Sequence, residues 1–209
     1  MTAGVDPAAV AAAAVRAAAR MSPPVGLFAE SSSAMFHLTR ALCADPVPYA
    51  RFSTHYGSMA HGNAGAFGFC AATGHRALVL TGDASFQLMS PLPAAVKLGC
   101  SMTMVVLNDS RLSLPYFGCQ RVGAMHAQAT TQMAPWDFTR QGSPEVQGRR
   151  VLEAAELDDA LAAALAFDGC FVVDVQVDAS VAAPVGARMD RVATLFEPPA
   201  PGLPAADRA

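Results

Sequence analysis

Residues 77–109 read ALVLTGDASFQLMSPLPAAVKLGCSMTMVVLND, and the fold turns on the two apolar runs inside this stretch. Residues 77–80 and 102–107 are apolar without a polar residue at every second place. A strand exposed on one face alternates; a strand buried on both faces, as in a parallel sheet, does not. Residues 86–98 between them read as helical apart from their prolines. Strand, helix, strand is a parallel crossover, so Gly82-Asp83 and Asn108-Asp109 both fall at carboxyl ends of strands. In open α/β sheets that is where ligands bind.

The same alternation extends outward in both directions. Residues 7–20 read as an alanine-rich helix, stopped by Ser22-Pro23-Pro24 because proline removes a donor and crowds the preceding turn. Residues 25–29 have strand length, Ser31-Ser32-Ser33 follows, and a helix runs on to about Cys43. The small apolar residues 62–72 suit a closely packed helix. Residues 110–136 show no period and are rich in Gly, Gln, Met and His, which in a compact domain points to a functional loop. A helix over 156–167 and a strand over 170–177 complete the pattern, and the Pro/Ala-rich chain from 197 onward is expected to be disordered. The expected fold is α/β: a doubly wound parallel sheet with helices on both faces. The expected organisation is a helix over 1–22, one domain over 23–190 and a tail over 191–209.

Composition narrows the class. Of 209 residues, 53% are apolar and 15% charged; either much apolar surface meets another chain, or alanine inflates the fraction without making the surface adhesive. The formal net charge is −3 and no Lys/Arg stripe is present, so no nucleic-acid partner is expected. No apolar stretch reaches the roughly 18 residues of a membrane span. The N-terminus lacks a basic segment followed by a leucine-rich run, so no signal peptide is expected and the cytoplasm is the default location. The cysteines Cys43, Cys70, Cys100, Cys119 and Cys170 form no Cys-x-x-Cys pair, which leaves zinc and iron–sulfur ligation without support. Most read as small core residues; Cys119, in a loop-like stretch, reads as either packing or a reactive thiol.

Two acidic strand ends carry the chemistry. Asp83 sits at the end of a buried strand and opens a helix. It is either a simple helix cap or a ligand for a metal-bridged phosphate, with the amides near Ser85 facing the phosphate. Asn108-Asp109-Ser110 is either a turn or a second ligand set. Oxygen ligands from two neighbouring strand tips can grip one hard divalent cation, and magnesium takes that environment with a diphosphate to complete it.

Gly82-Asp83-Ala84-Ser85-Phe86-Gln87, a spacer of about twenty-five residues, then Val105-Val106-Leu107-Asn108-Asp109 resembles the signature of thiamine-diphosphate-dependent enzymes: Gly-Asp-Gly, a spacer of this length, then Asn-Asn. The resemblance implies a diphosphate-binding (PP) domain with the cofactors thiamine diphosphate and Mg2+. Asp83, Asp109 and the carbonyl of Arg111 would hold the metal, and Gly82, Ala84, Ser85 and Leu112 would border the cofactor. Ala84 replaces the family's glycine and Asp109 its asparagine. The extra charge faces an anionic cofactor, so either Asp109 ligates or the register slips to Asn108; Asp109 is the preferred ligand. Residues 29–34, Ala-Glu-Ser-Ser-Ser-Ala, resemble the family's first loop, which makes Ser31 and Ser33 diphosphate ligands; on the residues alone they read equally as a helix N-cap. Residues 57–62, Gly-Ser-Met-Ala-His-Gly, resemble the segment whose glycine carbonyl, here Gly57, accepts from the cofactor's 4-amino group and whose bulky residue, here Met59, wedges between its rings. Trp136-Asp137-Phe138 and Gly148-Arg149-Arg150-Val151 fall where the family has its later helix and strand. The likeness covers roughly residues 25–178, to the pyruvate-decarboxylase/acetolactate-synthase-like branch. The Gly-Ser-Met-x-His run is similar to the beta subunit of sulfopyruvate decarboxylase and to phosphonopyruvate decarboxylases.

In that family a glutamate from a pyrimidine-binding domain protonates the aminopyrimidine ring. About twenty residues precede Val25, and Glu30 lies on the wrong loop. The resemblance therefore implies a pyrimidine-binding-domain subunit as partner, a heterotetramer, and a two-component decarboxylase or carboligase acting on a 2-oxo acid. His61 and His126 are candidates for a substrate-side acid or base, as is His55; His37 and His75 read as structural or exposed. Leu114, Tyr116 and Phe117 either line an acyl pocket or simply pack their loop. The rival reading is a non-catalytic or regulatory partner subunit with a degenerate cofactor site. A 2-oxo acid:ferredoxin oxidoreductase would need the clustered cysteines this chain lacks.

Overall fold

The computed structural model describes residues 4–52 and 56–185. The expected disordered tail from 197 lies outside the described residues, as does His55. Six strands form one wholly parallel sheet: β1 (Gly26–Ala29), β2 (Ala50–Arg51), β3 (Ala77–Gly82), β4 (Met102–Asn108), β5 (Val146–Val151) and β6 (Cys170–Gln176), in the order β2-β1-β3-β4-β6-β5. The chain leaves β1 toward β2 on one side and returns to β3 on the other. The crevice between β1 and β3 is thus a topological switch point, where an open α/β sheet binds its ligand.

The central strands lack alternation because both faces are covered. Leu78, Leu80, Val105 and Leu107 point into one core with α1 (Pro7–Ala19), α2 (Ser33–Ala44) and α8 (Leu157–Ala166). Their neighbours Ala77, Val79, Met104 and Val106 point into a second core with α3 (His61–Thr73) and α5 (Leu92–Lys97). Burial of each such Leu or Val side chain contributes about 1.5–3 kcal/mol. The segment expected as an N-terminal helix belongs to the first core: Val10, Ala11, Ala13, Ala14 and Val15 of α1 are buried. Asp6 caps its first turn by accepting from Ala8 N–H at 2.8 Å.

Three segments differ from the sequence reading. The helix expected over 86–98 is two short ones, α4 (Asp83–Leu88) and α5, because Met89 turns extended and Pro91 starts the next helix; proline cannot continue the first. The stretch 110–136, expected as irregular, contains α6 (Ser113–Arg121) and α7 (Ala127–Thr131). No residue of α6 is buried, so it has no apolar face for a periodic pattern to mark. The two-residue β2 was too short to stand out.

One backbone approach fixes the site's frame. The start of α3 comes so close to the end of β1 that a Cβ on Gly62 would lie 2.4 Å from the Ala29 carbonyl oxygen. Gly62→Ala must separate these two segments and should cost about 1–3 kcal/mol in urea unfolding of the full chain; an unchanged midpoint would contradict the close approach.

Candidate active site

The carboxyl ends of β1, β3 and β4 border a cleft of about 490 Å³. Three loops build it, and each is held by a buried polar side chain rather than by apolar packing.

The first loop follows β1. Ser32 is the N-cap of α2, its hydroxyl accepting from Ala34 N–H at 3.2 Å. Ser31, Ser32 and Ser33 all line the cleft, so a capping serine and two further hydroxyls share one turn. Glu30 before them has no solvent exposure. Its carboxylate accepts from Ser31 N–H at 3.0 Å, Gly62 N–H at 3.2 Å and Asn63 N–H at 3.1 Å. Helix α3 has no side-chain cap of its own and enters from Ala60 in the left-handed region. Glu30 caps it from a distance and ties the serine turn to the segment carrying Gly57 and Met59. Gly57 has a φ of 63° and lines the cleft with Met59 and Tyr56, the latter two exposed at its mouth.

The second and third loops follow β3 and β4. Asp83 is 3% exposed; one oxygen accepts from Ala84 N–H at 2.7 Å and the other from Arg111 N–H at 3.3 Å. It therefore serves partly as a helix-start acceptor and partly as a clamp between loops. Asn108 turns away from the cleft: its amide donates to Asp174 at 2.9 Å and to the Trp136 carbonyl at 3.0 Å. Asp109 turns in and lines the cleft with Asp83. Its Oδ2 accepts from the Ser113 hydroxyl and lies 3.5 Å from the Arg111 guanidinium.

Burial pushes the Asp83 carboxyl up to about 7, and the negative charge of Asp109 adds to the rise. Burial also raises Asp109, against the pull of Ser113 and Arg111. Like charges held together in a desolvated cleft are costly, and a cation would relieve that cost. Among the described residues no third His, Cys, Asp or Glu completes a metal site with them. The donor set fits a hard cation whose remaining ligands are backbone and diphosphate oxygens.

Of the positions singled out in the sequence, Ser31, Ser33, Gly57, Met59, Gly82, Asp83, Ala84, Ser85, Asp109, Arg111 and Leu112 all border this cleft. His61 and His126 do not: His61 is the exposed first residue of α3, and His126 is exposed at the start of α7. Leu114 lines the cleft, whereas Phe117 borders a smaller neighbouring pocket and Tyr116 stacks on Arg111. Sequence reasoning missed the anchoring by Glu30, the Ser113 bond to Asp109 and the side chain of Arg111. Only the adjacency of Arg111 and Ser113 to Asp109 hinted at the last two. Nothing local tells that Glu30 reaches residues thirty-two and thirty-three positions away.

A parallel sheet with its crevice at this switch point, carrying two acidic strand tips beside a serine turn, defines a nucleotide- or diphosphate-binding α/β domain. Residues 31–175 match the family model "Thiamine pyrophosphate enzyme, C-terminal TPP binding domain". The chain belongs to that family and is a thiamine-diphosphate-binding domain. No curated protein matches it in sequence. Among solved structures it is similar to a Rhodococcus jostii RHA1 thiamine diphosphate-dependent 4-hydroxybenzoylformate decarboxylase, with TM-score 0.69 and 20% identity over 85% of this chain and 33% of the other. It thus spans about a third of that protein's length, and the likeness speaks for the fold.

The raised Asp83 value sets a pH dependence. A folded-state value of about 7, above the ordinary carboxylate range near 3.9, means the folded chain favours the protonated group. The resulting stability is complete below about pH 4 and is lost as pH rises through about 7. Without ligands, the wild-type melting temperature should fall between pH 5 and 8 relative to Asp83→Asn. Parallel melting curves for the two proteins would show that Asp83 has no raised value.

Proposed function

We propose that this chain is the diphosphate-binding component of a thiamine-diphosphate- and magnesium-dependent 2-oxo acid decarboxylase or carboligase, working with a pyrimidine-binding-domain subunit in a heterotetramer. The single observation that carries this reading is the pairing of Asp83 and Asp109 in one desolvated cleft beside the Ser31–Ser33 turn. Asp83, Asp109 and the Arg111 carbonyl would hold the magnesium, and the serine hydroxyls with the amides at the start of α4 would take the diphosphate. Gly57 would accept from the aminopyrimidine and Met59 would hold the bent shape. The bound cofactor supplies the electron sink for the substrate carbanion; this chain supplies position, charge and exclusion of water.

The need for a partner has support of its own. No glutamate lines the cleft among the described residues, and the buried Glu30 is fully engaged with three backbone amides. The proton-donating glutamate of the proposed chemistry must come from a different domain. Tyr56, 91% exposed, and Met59, 38% exposed, stand at the mouth of the cleft, where a covering domain would bury them. Cytoplasmic residence belongs to the same proposal; no helix among the described residues is long and apolar enough to cross a membrane.

Calorimetry of thiamine diphosphate with magnesium, on the chain co-expressed with a pyrimidine-binding-domain partner, tests the reading. Asp83→Ala should weaken binding by more than about 100-fold, since outer-sphere changes alone cost about 10–100-fold, and should abolish turnover. Near-normal turnover in that variant would refute the assignment. A wild-type complex that binds nothing would favour the non-catalytic subunit instead.

A further inference from the structure

Arg111 is a buried cation beside the proposed metal site. It is 7% exposed, its guanidinium stacks 3.8 Å over the Tyr116 ring, and its Nη2 is shared between Asp109, at 3.5 Å, and the Ala179 carbonyl. Its buried Nε has no hydrogen-bond partner. A buried arginine with an unspent donor is costly unless it neutralises something. Two carboxylates stand within its reach: Asp83 and Asp109 share the cleft, and Asp109 stands where the related signature has an uncharged asparagine.

Resting on the proposed function, we propose that Arg111 is a built-in counter-ion that makes an acidic metal ligand tolerable: Asp109 and Arg111 together present the diphosphate site with no more net charge than a single asparagine. Arg111 touches neither cofactor nor substrate in this role; it is a positioning residue acting through Asp109. Its planar fork lets one guanidinium meet a carboxylate oxygen and a backbone carbonyl while lying flat on an aromatic ring. The chain thereby keeps a strong oxygen ligand for a hard cation without adding repulsion toward the anionic cofactor.

The idea makes predictions of opposite sign, which a merely structural bolt would not. In the full chain with its partner, Arg111→Met leaves two uncompensated carboxylates. Affinity for Mg2+ alone, read by calorimetry, should rise on the order of tenfold, while affinity for thiamine diphosphate at saturating Mg2+ should fall by a similar factor. Asp109→Asn in the same protein should reverse both changes to within about threefold of wild type, and Arg111→Lys, which keeps the charge but loses the fork and the stacking, should shift both affinities in the same directions as Arg111→Met by a smaller factor. If Arg111→Met does not fold, Arg111→Gln removes the charge while keeping hydrogen bonds. Both affinities falling together, or Asp109→Asn adding to the loss instead of reversing it, would overturn the proposal. A ligand-free melting cycle over wild type, Arg111→Met, Asp109→Asn and the double variant reads the coupling independently. Should no form bind thiamine diphosphate, the proposed function fails; the cycle still decides whether Arg111 and Asp109 act as a pair, and additive melting shifts would end the counter-ion role as well.

Discussion

Two carboxylates held in one desolvated cleft are the constraint around which the rest of this domain is arranged. The register of β3 against β4 sets it: Gly82 pairs with Leu107, so Asp83, just beyond β3, and Asp109, just beyond β4, emerge at the same edge. Both cores serve to keep that register. A slip of one residue in β4 that sent Asp109 to where Asn108 now points, toward Asp174, would leave Ser110 in its place at the cleft and remove the second carboxylate. The apolar strands, buried on both faces, leave little freedom for such a slip.

Around this pair, buried polar contacts take over from apolar packing. Glu30 holds the β1 loop to α3 through three backbone donors. Asp83 holds the β3 loop to the β4 loop through the Arg111 amide. Asp174, fully buried, accepts from Asn108 and from Phe138 N–H at 3.2 Å, and Arg150 lies 3.8 Å from it. Burial raises Asp174 against those partners. Each of these carboxylates is hydrogen-bonded, and each joins segments far apart in sequence. Such joints are directional where apolar contacts are not, which suits loops that must hold a ligand at fixed distances on an otherwise smooth sheet.

Much of this was legible in the sequence, and the reasons differ by residue. Residues 77–80 and 102–107 are long enough and apolar enough that only a buried strand suits them, so the sheet and its acidic ends could be placed directly. Gly57, Met59 and the serine turn could be singled out because their motifs lie in adjacent residues, and all of them line the cleft. Glu30 was readable only as a glutamate on an unsuitable loop, since its partners are brought to it by the β1–α3 approach at Gly62. The helices α6 and α7 were hidden because neither has the continuous apolar face that periodicity detects; α6 buries nothing. Motif position alone did not tell where the histidines lie. His61 lies two residues from the cleft residue Met59 but starts a helix on which it is exposed.

The energetics also bear on whether the site is a working one or a remnant. Asp83 is almost wholly buried, faces a second carboxylate and has its value raised to about 7. Those are costs to the folded chain at neutral pH that any neutral residue of similar size would remove. Arg111 adds a buried guanidinium nitrogen with no partner. Strain of this kind persists where the surrounding structure holds it for a purpose, and it gathers at functional sites. A domain released from holding a cation would have nothing to offset these terms. Ala84 and Asp109 depart from the family's glycine and asparagine, yet neither departure relieves the buried charge. Ala84 lies in a helix, where alanine is a better former than glycine, and Asp109 adds charge rather than taking it away. Under the proposed function the departures make a retuned site, in which an acidic ligand and its own counter-ion would stand in for a neutral one.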